Sequence, residues 1–447
     1  MAFRGNLLAL LVLAAAAVAS GKPAWLELLP AARGASVAER ARDDRHRHAY
    51  IIDRLASSRG GSGRVAAEVA AAAASSVSLP VSSGAYAGTG QYFVKFLVGT
   101  PPQEFTLVAD TASDLTWVKC AGGGASPPGR AFRPADSKSW KPILCSSDTC
   151  KLDVPFSLAN CSAPTSPCSY DYKPEGSAGA RGVVGTDSVT IPLPGGKNAH
   201  LPDVVLGCSS AHGGQSFQSA DGVISLGNSK ISFASRAAER FGGSFSYCLV
   251  DHLAPREATG YLAFGPRPAA PHDPTPAAQT TPLLLDPQMP FYGVKVEAIH
   301  VAGKALAIPA EVWEATKNGG AILDSGTTLT VLATPAYKAV VAALSSHLAG
   351  VPKVAFPPFE HCYNWTARRP GAPEIPKLAV QFAGSARLEP PAKSYVIDVT
   401  PGVKCIGVQE GESPGVSVIG NIMQQEHLWE FDLKNRLVRF KPSTCTR

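Results

Sequence analysis

Charge is scarce in this 447-residue chain: only 17% of it is Asp, Glu, Lys or Arg, while Gly (42) and Pro (38) are frequent. That balance disfavours helical bundles and favours many short strands joined by turns. The body also lacks a net charge. Residues 1 to 80 hold ten Lys and Arg against six Asp and Glu, and the remainder holds 31 against 29. Nothing there argues for a nucleic-acid partner. No second long apolar run follows the first twenty residues, and Arg439 to Arg447 are polar, so no membrane anchor is expected. No CxxC pair and no His cluster occurs, which excludes a zinc site of the usual spacing. No ion or organic cofactor is implied.

What is present begins with a secretory signature. Met1 to Asn6 carries one Arg, Leu7 to Ala17 is apolar, and Val18-Ala19-Ser20 are small residues suited to cleavage; residues 1–20 read as a signal peptide. A membrane anchor is the other reading, but the stretch is short for a span. Ten cysteines (Cys120, Cys145, Cys150, Cys161, Cys168, Cys208, Cys248, Cys362, Cys405 and Cys445) make an even set, as an oxidising compartment requires. The sequons at Asn160 and Asn364 fit the same route.

Residues 21–80 differ from the rest. Ala35 to Leu55 is helix-compatible and rich in Arg and His, and Gly60 to Ser78 is mostly Gly, Ala and Ser. A removable basic prosegment is the simplest reading, and a nucleic-acid arm the other. The secretory signal and the interrupting Asp43-Asp44 argue against the arm. From Gln91 strands and turns dominate. Pro at 266, 268, 271, 274 and 276 marks residues 266–281 as a linker. It divides an N-terminal lobe (81–265) from a C-terminal lobe (282–447), both β-rich. Pro335 to Leu348 is the clearest helix.

Two acidic signatures carry the chemistry. Asp110-Thr111-Ala112-Ser113 follows the apolar run Phe105 to Ala109, and Asp324-Ser325-Gly326-Thr327 follows Ala321-Ile322-Leu323. Each places a carboxylate on a tight loop beside hydroxyl donors. Alone, either is an ordinary Asx or Ser/Thr turn. Twice, half a chain apart, they suggest two related lobes that each bring one carboxylate to a shared site. Two carboxylates at hydrogen-bonding distance hold one shared proton in acid. The ionised member can take a proton from an intervening water while the other donates to a carbonyl oxygen, which splits an amide without a metal.

At these residues the chain resembles the pepsin-type aspartic proteases, and more closely their plant nepenthesin-like branch, from about residue 90 to the C-terminus. Asp110 through Trp117 is similar to the first catalytic motif and Ile322 through Thr327 to the second. Gly222-Val223-Ile224-Ser225-Leu226-Gly227 and Ser417-Val418-Ile419-Gly420-Asn421 resemble the apolar-apolar-Gly segments that follow each. The resemblance implies an all-β, bilobal fold with a cleft between the lobes. Asp110 and Asp324 would hold the nucleophilic water. Thr111 and Ser325 would cross-bond beneath them, Ser113 and Thr327 would bond the outer carboxylate oxygens, and Gly326 would support the second loop. Tyr172 would be the flap tyrosine that closes over substrate, with Trp117 behind it; on their own, both also read as strand or core aromatics. The implied disulfides are Cys145–Cys168 nested around Cys150–Cys161, then Cys120–Cys208, Cys248–Cys445 and Cys362–Cys405.

Two positions depart from the family pattern. Ala112 stands where the family prefers Gly, which is harmless only if its φ is negative. Lys173-Pro174-Glu175 intervenes between Tyr172 and the flap glycine, and Pro stiffens such a tip. Two functional readings follow. One is a secreted, monomeric aspartic endopeptidase acting on peptides or proteins in the apoplast or vacuole, made as an acid-activated zymogen. The basic prosegment would then set an Arg or Lys against the dyad, with Lys22 and eight Arg as candidates. The other is a binding protein on the same fold, such as a xylanase inhibitor.

Overall fold

The computed structural model describes residues 37–58, 77–83, 90–121, 130–155, 161–172, 179–192, 198–213, 220–255, 257–265, 277–286, 289–367, 371 and 374–446. The expected signal peptide, Asn160, the flap-tip residues 173–178 and most of the expected linker lie outside them. Among the described residues no helix is long and apolar enough to cross a membrane.

Strands dominate, and two of them set the first catalytic loop. Strand β1 covers Val77–Ser83, β2 Tyr92–Val98 and β3 Gln103–Asp110. β2 and β3 form an antiparallel hairpin with Phe96 opposite Phe105. Its turn needs Gly99, whose φ is 98°. β3 runs parallel to Gly222–Ser225, with Asp110 beside Ser225. β4 (Thr116–Lys119) then pairs antiparallel with that same segment and parallel with Asn198–Gly213.

The C-terminal lobe repeats this arrangement. Ala321–Leu323 runs parallel to Ser417–Ile419, with Leu323 beside Ile419. Thr330–Ala333 meets Ser417–Ile419 antiparallel and Val408–Gly411 parallel. In both lobes the Asp therefore emerges where a strand leaves a short parallel pairing. The likeness seen in two tetrapeptides extends to the surrounding topology.

A shared sheet closes the base of the molecule. Ser244–Cys248 pairs with Thr259–Phe264 on one side and His427–Asp432 on the other, and Leu437–Pro442 and Gln279–Leu284 continue it. Phe245 and Phe431 stack across the two lobes with centroids 4.7 Å apart, a pairing that adds about 1 kcal/mol to the area it buries. β1 adds to this sheet through Thr259–Phe264 and also pairs with β2. It thus crosses the expected prosegment boundary at residue 80. Helix α1 spans Val37–Ser58, α2 Phe233–Phe241 and α3 Thr334–His347.

Two expected disulfides are corrected. The bridges are Cys145–Cys161 and Cys150–Cys168, not Cys145–Cys168 and Cys150–Cys161. The Cys145 amide donates to Ser166 and the Cys168 amide to Ile143, around a bridge between Leu144 and Pro167. Cys145 and Cys168 are consequently diagonal neighbours, about 7–8 Å apart at Cα in such a register, beyond the usual disulfide span. A turn of π-helix over Thr149–Asp153 brings Cys150 to Cys168 instead, at a Cα separation of 5.8 Å. The other three pairs are Cys120–Cys208, Cys248–Cys445 and Cys362–Cys405. Peptide mapping without reduction will recover Cys145 linked to Cys161; a peptide joining Cys145 to Cys168 would overturn the crossed arrangement.

Candidate active site

Each Asp sits at a strand end, buried, with its carboxylate held by its own loop. Asp110 is 2% exposed and Asp324 0%. The Ala112 amide donates to Asp110 Oδ1 at 2.9 Å and the Ser113 hydroxyl to Oδ2 at 2.5 Å. The Gly326 amide and Thr327 hydroxyl make the same two bonds to Asp324, at 2.9 and 2.5 Å. Two neighbours thus fix each carboxylate plane, which the acidic tetrapeptide supplies unaided.

The two loops lock through their hydroxyls. Thr111 Oγ1 accepts the Ser325 amide at 2.9 Å and donates to the Leu323 carbonyl at 3.3 Å. Ser325 Oγ accepts the Thr111 amide at 3.1 Å and donates to the Ala109 carbonyl at 2.9 Å. Below them Asn421 Nδ2 donates to the Ser325 and Gly90 carbonyls, at 3.0 and 2.9 Å. Asn421 is fully buried. Its place in the motif was legible in sequence, but its tie to Gly90 was not.

Ala112 resolves in favour of an intact loop. It is not among the residues with positive φ, and its amide makes the same bond as Gly326. Its methyl group packs in an apolar cluster with Ile51, Phe291, Ile322 and Val418. Gly326 has no such latitude: a Cβ there would lie 2.5 Å from Arg47 and 2.7 Å from Asp110 Oδ1. The two signatures are equivalent in donors and unequal in space.

Helix α1 fills the cleft. Arg47 Nη2 donates to Asp110 Oδ1 and, at 3.0 Å, to Asp324 Oδ1; Nε donates to Asp324 Oδ2 at 2.7 Å and Thr327 Oγ1 at 3.1 Å. Burial opposes the charge on Arg47, but the two carboxylates outweigh it and hold the guanidinium protonated well above its ordinary value. Asp44 accepts the Thr328 and Leu329 amides at 2.8 Å each, and burial pushes its pKa up to about 7. His48 Nε2 lies 2.9 Å from the Val416 carbonyl, and burial holds His48 below the usual histidine range. Arg54 pairs with Asp114. Asp44, Arg47, Tyr50, Ile51 and Arg54 lie on one helical face. That 3-3-1-3 spacing was readable in sequence, but Arg40 and Arg54 share the face with Arg47, so it does not say which of them meets the dyad.

Tyr172 is half-buried on the strand Ser169–Tyr172, its ring edge-on to Tyr50 at 4.6 Å. It is near enough to Arg47 and Asp110 to sense both charges. Trp117 is buried in one apolar cluster with Tyr170, against which Tyr172 packs. The Cys150–Cys168 bridge ends one residue before that strand. Asn364 uses its side-chain oxygen to accept the Thr366 hydroxyl at 2.7 Å and the Ala367 amide at 3.2 Å.

The family models that match are described as the xylanase inhibitor N-terminal and C-terminal regions, over residues 92–266 and 291–442. Neither range includes α1. The chain is 29% identical to the aspartic proteinase nepenthesin-2 of Nepenthes gracilis, covering 80% of this chain and 79% of that protein. It is 32% identical to aspartyl protease family protein 2 of Arabidopsis thaliana, covering 82% and 73%. Among solved structures it is similar to edgp (TM-score 0.66, 22% identity, 83% and 96% covered) and to basic 7S globulin from soybean (TM-score 0.62, 22% identity, 83% and 96% covered).

Proposed function

The chain belongs to the plant pepsin-like aspartic protease family, in its nepenthesin-like branch, and from that premise we propose that it is a secreted aspartic endopeptidase held inactive by helix α1. One observation carries the reading. A single atom, Arg47 Nη2, hydrogen-bonds the inner oxygens of both Asp110 and Asp324. The space between the carboxylates is therefore the size of one hydrogen-bonding centre, and with the helix gone a water takes that position. The ionised carboxylate removes a proton from this water as it attacks the scissile carbonyl carbon. The protonated carboxylate donates to the carbonyl oxygen. Transfer of a proton to the nitrogen then lets the C–N bond break. Thr111 and Ser325 keep the carboxylates coplanar, and Tyr172 with Trp117 behind it closes the flap over the peptide. The monomer suffices, because both halves of the site lie on one chain; apoplast and vacuole both suit its chemistry.

Acid acts on the helix through two groups of opposite sign. His48 is neutral when docked and returns to about 6.5 when free. As pH falls below that value the released helix takes up a proton that the docked one refuses, so release gains. Asp44 does the reverse: its docked value of about 7 exceeds the free value of roughly 3.9, so between those limits acid strengthens this contact. His48→Gln keeps a donor for the Val416 carbonyl and removes the titration. Its processing near pH 5 is slower than the parent's, because the proton uptake that favours release is gone; an unchanged pH profile would remove His48 from the trigger.

The overall test is acidification of the full-length chain. Loss of the N-terminal segment followed by cleavage of a denatured protein supports the reading, and intact, inert protein throughout refutes it. The names of the matching family models favour a second reading, a xylanase-binding protein on the same fold. A xylanase-inhibition assay on the same sample distinguishes the two.

A further inference from the structure

We propose that Asp114 is a specificity-determining residue: once α1 leaves the cleft, its carboxylate receives the Arg or Lys side chain of a peptide bound beside the flap. This rests on the peptidase reading above and names a substrate class for it.

Asp114 follows the first signature in the loop between β3 and β4, and it is only 6% exposed. Its ion pair is with Arg54 of α1. Among the described residues no group of either lobe donates a hydrogen bond to it. Its other close charged neighbour is Asp110, which repels it. Tyr50, again from α1, lies within reach of the Asp114 charge on one side and contacts Tyr172 on the other. The cation paired with Asp114 and the tyrosine beside it are therefore both supplied by the helix, and both leave together.

A peptide entering in place of α1 covers this carboxylate again. Burial pushes the Asp114 carboxyl up to about 6, so above that pH a neutral side chain over it would leave a desolvated charge with no partner, and an acidic one would add repulsion. A guanidinium or ammonium restores the lost pair and its charge-assisted hydrogen bond. The space for such a group exists, because Arg54 occupies it now. Asp114 is thus more than a docking point for the prosegment: the lobe carries an anionic wall that the helix, and then the substrate, must answer with a cation.

The test removes α1 without relying on self-processing. A recognition site for a sequence-specific protease, placed between Ser58 and Val77, lets the helix be cut from the folded chain and separated. Fluorescent octapeptides carry one Arg scanned through each position, paired with twins carrying Gln there. Binding is measured by anisotropy near pH 6.5 in the Asp324→Asn background, and kcat/KM for the same pairs in the unsubstituted protein. At one position the Arg peptide exceeds its Gln twin by about tenfold. Asp114→Asn brings that ratio to about one, and Asp114→Glu retains most of it. A ratio near one at every position, or a ratio unchanged by Asp114→Asn, overturns the proposal. If no peptide is cut, the peptidase reading fails, while the binding ratio still decides the role of Asp114.

Discussion

Replacing Asp324 with Ala lowers cleavage of a denatured protein by at least about a thousandfold near pH 3.5, the upper part of the range that a positioned acid–base group contributes. The loss is this large because the pair acts as a unit: a lone Asp110 can deprotonate the water or protonate the carbonyl oxygen, but not both in one step. Ala also strands two donors, the Gly326 amide and the Thr327 hydroxyl, around a position with no exposure, and removes two of the acceptor contacts of Arg47. Asp324→Asn preserves the shape and most of these bonds, so it separates chemistry from folding. Both variants are expected to be inert, with Asn close to the parent in thermal unfolding. The same change loosens α1, since Arg47 loses one of its two charged partners. An Asp324→Asn protein that opens more readily and still cuts nothing is the signature expected. Retention of a tenth of the parent activity would end the shared-dyad mechanism.

Arg47→Ala is expected to do the opposite and free the site. It leaves two buried carboxylates facing each other beneath a docked helix, and unpairing one buried charge in this way costs about 3–5 kcal/mol. That weakens docking by roughly a hundredfold or more, since each 1.4 kcal/mol is tenfold. The full-length variant should process and cut peptide at a pH where the parent remains intact. The Asp44, His48 and Arg54 contacts remain, so the helix is weakened rather than lost. Arg47→Lys gives an intermediate result, because one ammonium cannot meet the four acceptor atoms that the guanidinium meets. Parent-like processing of Arg47→Ala at every pH would show that the inhibition lies elsewhere in the segment.

The parts of this site that lie within a few residues were legible beforehand. Ala112, Ser113, Gly326 and Thr327 bond the Asp two or three positions earlier, a pattern that a tetrapeptide carries with it. The resemblance to a known family supplied the cross-lobe roles of Thr111 and Ser325. It misled at Cys145, Cys150, Cys161 and Cys168, whose partners depend on strand register and on the turn at Thr149–Asp153, neither of which spacing reveals. The boundary at residue 80 missed β1 because a short polar strand with an internal Pro has little local signal, and its pairing with Thr259–Phe264 and β2 is non-local.

Sequence alone determined that this chain carries two equivalent acidic loops on β-rich lobes, because the donors that orient each carboxylate are neighbours in the chain. It also marked a basic helix ahead of them. Only the tertiary structure decided which basic residue meets the dyad. The contacts of Asp44, Arg47 and Arg54 reach 60 to 285 positions along the chain, and such partners are fixed by how two lobes and a helix close on one cleft.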